Sequence, residues 1–247
     1  MKERIMNLVV DVGNTRIKYA FFKGKRLVEM KCGVEELVRD MMRYKERGEH
    51  IRLLLSGSGS ISESMREGLT GLANESVEAS SGMPLPLPVG YATPETLGID
   101  RVAVCLGALQ LFPGRPLLVV DSGTCVTFNY VNAEGVFVGG NISPGIGMRF
   151  RGLHDFTARL PLVEPDMPYG GVGRTTREAI LNGVLDGMLF EIEGYVNRFR
   201  SAEKRGVVAV TGGGCAFLEG KLPEKVRFCP TLGVFGLNEI LEFAKKS

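Results

Sequence analysis

Histidine is nearly absent from this chain. Only His50 and His154 occur, far apart in the chain, and no metal-ligand cluster is read on them. Cysteine is sparse and odd in number: Cys32, Cys105, Cys125, Cys215 and Cys229, with no Cys-x-x-Cys spacing. That argues against a zinc site or a disulfide framework and fits a reducing compartment. No apolar run approaches the roughly 18 residues a membrane span requires. The opening stretch Met1 to Val10 is too short and too charged for a signal peptide, so a cytoplasmic location is expected. Charge of one sign is lacking too. The formal net charge is +2, and the basic runs near Arg43 to Arg47 and Lys245 to Lys246 are short, so neither nucleic acid nor an anionic membrane is an expected partner. Two nucleotide signatures are missing as well. There is no G-x-x-x-x-G-K-[ST] loop and no protein-kinase motif set.

What is present is ordinary globular composition, with 44% hydrophobic and 23% charged residues over 247 positions. Leu8 to Val10 and Ile17 to Phe22 read as strands around the turn at Asp11, and Ile51 to Leu55 reads as a third. Val34 to Arg47 and Ile61 to Leu72 carry helical patterns. Pro84, Pro86, Pro88 and Pro94 impose an extended connection. Asp100 to Phe112 then reads as a helix and Leu117 to Val120 as a strand. The stretch from Gly139 to Gly173 reads as a long glycine-rich region. Ile180, Val184, Met188, Ile192 and Val196 recur every fourth residue and mark the clearest helix. Val207 to Val210 is a strand running into Thr211-Gly212-Gly213-Gly214, and Leu232 to Phe243 closes the chain as a helix.

One repeat organises these elements. Leu8-Val9-Val10-Asp11-Val12-Gly13 returns as Leu118-Val119-Val120-Asp121-Ser122-Gly123, each an apolar strand ending in Asp-x-Gly. The repeat predicts two similar α/β halves, residues 1–115 and 116–247.

The chemistry of the turns follows from residue type. Gly13 lets backbone approach a phosphate closely, Asn14 and Thr15 offer donors, and Lys18 adds positive charge. Asp11 suits Mg²⁺ held through water, since that ion dehydrates reluctantly. A single Asp-x-Gly turn can equally be a plain hairpin turn. The second copy at Asp121 to Thr124 shifts the balance toward two turns clamping a phosphate chain, as in the actin-like ATPases. Thr211-Gly212-Gly213 would let an adenosine lie against backbone, though glycine clusters also mark ordinary loops. Asp100 in Gly98-Ile99-Asp100-Arg101 reads either as a helix cap or as a general base, and Arg101 as a surface residue or a carboxylate clamp.

Taken in order, the motifs carry a family likeness. They are Asp11-Val12-Gly13-Asn14-Thr15, Tyr91, Gly98-Ile99-Asp100-Arg101, Asp121-Ser122-Gly123-Thr124, Gly139-Gly140-Asn141-Ile142-Ser143-Pro144-Gly145, Ala158-Arg159-Leu160-Pro161, Thr176 and Thr211-Gly212-Gly213. Along essentially its whole length the chain resembles type III pantothenate kinase. The resemblance implies duplicated actin-like (ribonuclease H-like) domains with a nucleotide cleft between them. It implies transfer of the γ-phosphoryl group of ATP to pantothenate in coenzyme A synthesis, by a homodimer needing Mg²⁺ and a monovalent cation, K⁺ or NH₄⁺. By matching position, Asp11, Val12, Gly13, Asn14, Thr15, Arg16, Ile17 and Lys18 form the phosphate loop. Thr124, Gly212 and Gly213 join them on the nucleotide, and Asp100 is the base. Tyr91, Gly98, Ile99, Arg101 and Thr176 contact pantothenate, and Asp121 holds the monovalent cation. Asn129 departs from the family's pattern, where Asp is expected. Other acceptors on the same fold, a phosphatase, or an ATP-binding regulator are the competing readings.

Overall fold

In a computed structural model the described residues are 4–13, 16–57, 61–165, 168–222 and 225–245. In chain order the first elements are β1 (Ile5–Val12), β2 (Ile17–Lys23), β3 (Arg26–Cys32), α1 (Val34–Glu46), β4 (His50–Gly57), α2 (Glu63–Leu72), β5 (Glu75–Glu78) and α3 (Ile99–Leu111). They continue with β6 (Leu117–Ser122), β7 (Cys125–Val131), β8 (Phe137–Pro144), α4 (Ile146–Asp155), α5 (Thr176–Ala202), β9 (Val207–Thr211), α6 (Cys215–Leu218), β10 (Val226–Phe228) and α7 (Leu232–Ala244). The chain divides into two compact units. Residues 1–114, 131–139 and 231–247 form the first, and residues 115–130 and 140–230 the second.

The first unit is built on a five-stranded sheet in the order β3-β2-β1-β4-β5. β1 runs antiparallel to β2 and parallel to β4, and β4 runs parallel to β5. Strand alternation sends Leu8, Val10 and Val12 of β1 to one face. There they pack with Leu37 and Met41 of α1 and Leu69 of α2. Asn7, on the opposite face, donates to Asn238 Oδ1 of α7 at 2.9 Å. A sheet covered on both faces explains why β1 and β4 are nearly continuous apolar runs. Helix α3 packs along α7, and most of its residues from Ile99 to Ala108 are buried.

The second unit carries a five-stranded sheet in the order β10-β9-β6-β7-β8. Counted from β8, this order matches the first sheet strand for strand: β6 stands where β1 does and β9 where β4 does. β6 pairs parallel to β9, as β1 does to β4. Helix α5 lays Met188, Ile192, Val196 and Phe199 on Leu118, Val120 and Phe128 of the sheet, and the Phe128 ring stacks on Tyr195.

The glycine-rich stretch read from Gly139 to Gly173 is not all loop. It holds the end of β8 and the helix α4. Gly147 and Gly152 lie inside α4 with nothing near their Cα hydrogens, so they mask its pattern without serving a close contact. Phe150 anchors α4 against Ile180, Leu181 and Val184 of α5. Among the described residues, no helix is long and apolar enough to cross a membrane.

Candidate active site

The first Asp-x-Gly turn grows out of β1. Asp11 is the penultimate residue of that strand and is paired in register with Lys18 on β2, so the two side chains leave the same face of the sheet. The Gly13 N–H donates to the Arg16 carbonyl at 3.1 Å and closes the turn. Asn14 and Thr15 lie outside the described residues. Val12 is buried, Ile17 and Lys18 are half-buried, and Arg16 is exposed.

Asp11 is half-buried, and desolvation pushes its carboxyl above the ordinary carboxylate range. The Lys18 ammonium opposes that rise, and the negative charge of Asp100 adds to it. Asp100 sits in the first turn of α3 and is exposed. Its Oδ1 accepts the Arg101 backbone N–H at 2.9 Å. One lysine and two carboxylates from three separate elements therefore share one electrostatic neighbourhood. Both carboxylates are oxygen donors, the ligand type that Mg²⁺ takes.

Arg101 follows Asp100 on α3 and is buried, with 6% of its surface exposed. Its guanidinium carbon lies 5.8 Å from the Tyr91 ring centre and 5.6 Å from that of Phe137. The two rings meet edge to face at 6.1 Å. Tyr91 is brought there by the proline-rich connection, which adds onto β8: Phe137 donates to the Pro88 carbonyl at 2.9 Å and accepts from the Gly90 N–H at 2.8 Å. Ile99, two residues before Arg101, is buried, and Gly98 caps α3.

In the second unit Asp121 stands near the end of β6, paired with Thr211 of β9. The glycine loop after β9 folds directly over it. Gly212 has φ +93°, and a β-carbon there would collide with Asp121 Oδ1 and lie 2.5 Å from the Ser122 carbonyl. The Gly214 N–H donates to that same carbonyl at 2.8 Å. The Gly145 N–H donates to the Thr124 carbonyl at 3.0 Å, tying the second turn to the start of α4. The Asp121 carboxylate and the Ser122 carbonyl are both oxygen donors, the ligand type a monovalent cation takes, and Gly212 lies close to both. Asn129 is fully buried on β7 and donates to the Val119 carbonyl at 3.3 Å and to Thr127 Oγ1 at 2.9 Å. Thr176 opens α5 and is exposed, next to the cap residue Thr175.

Two features escape a reading of the sequence. Phe137 reads as one more core aromatic until its ring is found against Arg101. The other is a match between the units: Gly57 ends β4 as Gly212 follows β9, and a β-carbon on Gly57 would lie 2.8 Å from the Val12 carbonyl. Val12 and Ser122 occupy the same place after their aspartates, so each sheet uses a glycine to let a neighbouring strand end close over its Asp turn. The signal was a two-residue pattern, Ser56-Gly57 and Thr211-Gly212, too short to stand out.

Two sheets of one strand order, each with an aspartate at the end of its central strand, define a duplicated α/β fold of the actin-like class. Solved structures agree on the fold. A conserved protein from Campylobacter jejuni, named for the Baf family of transcriptional activators, superposes with TM-score 0.61 at 18% identity, covering 97% of this chain and 100% of that one. The inorganic polyphosphate/ATP-glucomannokinase of Arthrobacter sp. strain KM superposes with TM-score 0.50 at 14% identity, covering 98% and 100%. Sequence places the chain more narrowly. The family model for type III pantothenate kinase matches residues 7–198, and the type III pantothenate kinase of Cytophaga hutchinsonii is 36% identical over 242 residues, 96% of this chain and 99% of that protein. The chain belongs to the type III pantothenate kinase family.

Proposed function

We propose that this protein transfers the γ-phosphoryl group of ATP to the primary hydroxyl of pantothenate, giving 4′-phosphopantothenate at the entry to coenzyme A synthesis. The observation that carries the reading is the gathering of Asp11, Lys18 and Asp100 in one charged neighbourhood, with the buried Arg101 one residue beyond Asp100.

In this reading the residues from Asp11 to Lys18 hold the phosphates, with Lys18 placing positive charge on the face that Asp11 shares. Thr124, Gly212 and Gly213 take the nucleotide from the second turn. Arg101 binds the pantothenate carboxylate, which its planar fork suits, and Tyr91, Gly98, Ile99 and Thr176 complete the acceptor contacts. Asp100 Oδ1 accepts the Arg101 N–H, and we assign Oδ2 as the atom that takes the hydroxyl proton. Phosphoryl transfer needs little covalent help from protein, so positioning and charge neutralisation supply most of the rate. Asp11 would hold Mg²⁺ through water and Asp121 a K⁺ or NH₄⁺ ion, and these cations neutralise charge on the phosphates when bound. We also assign a homodimer as the working form. Exposed apolar side chains of the second unit, including Phe156 and Phe190, support it.

The test is a coupled assay of ADP release with and without K⁺. Release that depends on pantothenate supports the reading. Release with hexoses, or with water alone, moves the chain to another acceptor or to hydrolysis.

A further inference from the structure

Beyond the residues assigned above, we infer that Phe137 is a positioning residue for the acceptor: its ring holds the Arg101 guanidinium in place for a carboxylate. The inference rests on the acceptor reading of Arg101 and adds a residue from a distant segment of the chain.

Phe137 is fully buried and opens β8. Its backbone makes both hydrogen bonds of a short bridge to the proline-rich connection, at Pro88 and Gly90. The peptide that carries the ring therefore also sets where Tyr91 stands. The ring faces Arg101 at 5.6 Å and Tyr91 at 6.1 Å. Both guanidinium distances fall inside the range in which an aromatic face attracts a cation.

Physical chemistry gives the arrangement a purpose. Arg is a long side chain with much rotamer freedom to lose on binding. Two rings against the guanidinium confine it before the ligand arrives, and they attract the cation without occupying its N–H groups, because the ring quadrupole accepts charge and not hydrogen bonds. The aromatic walls also lower the local dielectric, which strengthens the ion pair made with the acceptor.

The experiment compares Phe137→Leu, Arg101→Ala and the double variant in the full chain, with KM for pantothenate, KM for ATP, kcat and thermal midpoint measured for each. Leucine keeps the site apolar and removes the ring. The expected result for Phe137→Leu is a rise in KM for pantothenate of about fivefold or more, within the span of a desolvated cation–aromatic contact, with KM for ATP unchanged. In the Arg101→Ala background the same substitution is expected to add nothing, because the group it positions is gone. A merely structural role would give additive losses and shift both KM values. Phe137→Met, whose longer and more flexible side chain adapts to the ring's space, takes the place of Phe137→Leu should the latter not fold, and failure of both to fold assigns Phe137 to the core alone and overturns the inference. If Arg101→Ala weakens pantothenate and Phe137→Leu does not, the positioning role is overturned and the acceptor reading stands. If Arg101→Ala leaves KM for pantothenate unchanged, the acceptor reading falls and takes this role with it.

Discussion

Gly212 is seated against Asp121 so closely that any β-carbon on it would run into the carboxylate Oδ1. Its backbone also sits at φ +93°, where side-chain-bearing residues are strained by about 1–3 kcal/mol. Gly212→Ala must therefore push the glycine loop off the second Asp turn. The expected outcome is a rise in KM for ATP of roughly tenfold, the equivalent of about 1.4 kcal/mol, together with a weaker response to K⁺. KM for pantothenate should hold. An alanine variant with parental ATP and K⁺ dependence would remove Gly212 from the nucleotide and cation site.

Asp100 is exposed, and one of its oxygens accepts a backbone N–H from its own helix. Asparagine keeps an acceptor for that bond, so Asp100→Asn should fold normally and melt as the parent does. It cannot take a proton from the acceptor hydroxyl. Loss of a general base costs about 10²- to 10⁴-fold, and that fall is expected in kcat with KM for ATP little changed. Steady-state kinetics beside a thermal melt separates the two roles. A drop in stability at full activity would make Asp100 a stabiliser of the first turn of α3 and nothing more.

The Asp-x-Gly repeat was legible because strand, aspartate and glycine all lie within one short stretch, and each sheet indeed carries its copy at the end of the central strand. Helix α5 was legible for the same reason. Its apolar residues return every fourth position, and the structure runs the helix from Thr176 to Ala202. Helix α4 was hidden because Gly147 and Gly152 break its local pattern, and only tertiary packing through Phe150 secures it. The short strands β5 and β10 have little local signal and are made by pairing to β4 and β9. The company of Arg101 was illegible for a different reason. Tyr91 and Phe137 come from distant segments joined by a two-bond bridge, and no spacing in sequence announces that. The return of residues 131–139 and of α7 to the first unit is likewise a matter of packing.

Asp11 gives a prediction in pH. Burial raises its carboxyl above the ordinary value of 3.8, with Lys18 opposing and Asp100 adding to the rise. A carboxyl raised on folding favours the protonated form in the native state. Its contribution to stability is therefore fully present below 3.8 and is lost as pH climbs through the raised value. At neutral pH the ionised group is a liability in the ligand-free protein. Asp11→Asn should accordingly melt higher than the parent at pH 7 without nucleotide or Mg²⁺, and the gap should close as pH falls toward 4. Saturating Mg²⁺ and ATP should reverse the order, because the parent alone gains the binding free energy. Melting curves at several pH values, with and without ligand, check each sign. A variant less stable than the parent in the ligand-free state at pH 7 would contradict the electrostatic account.

Asp100 and Arg101, the residues proposed to act on the acceptor, lie on a helix whose place depends on a contact with α7. Gly236 of α7 faces Ala103 of α3 so tightly that a β-carbon there would collide with the Ala103 carbonyl and lie 2.8 Å from its Cα. Both partners are backbone, so neither can turn aside as a side chain would. Gly236→Ala must separate the helices, and overpacking of this kind costs about 1–3 kcal/mol. Helix α7 is also tied to the sheet by buried hydrogen bonds, Asn7 to Asn238 at 2.9 Å and Arg52 to the Leu241 carbonyl at 3.2 Å. With α7 held by these bonds, the strain of the collision falls on α3. Ala103 lies within a turn of both Asp100 and Arg101, so a displacement there reaches both. The expected result is a lowered midpoint in chemical denaturation, a lower kcat and a higher KM for pantothenate, with KM for ATP nearly constant. Gly233→Ala serves as the control on the same helix, since the nearest atom to a β-carbon there is a Val104 methyl at 3.9 Å. Equal effects from the two alanines would show that helix propensity, not the close approach to α3, governs the site.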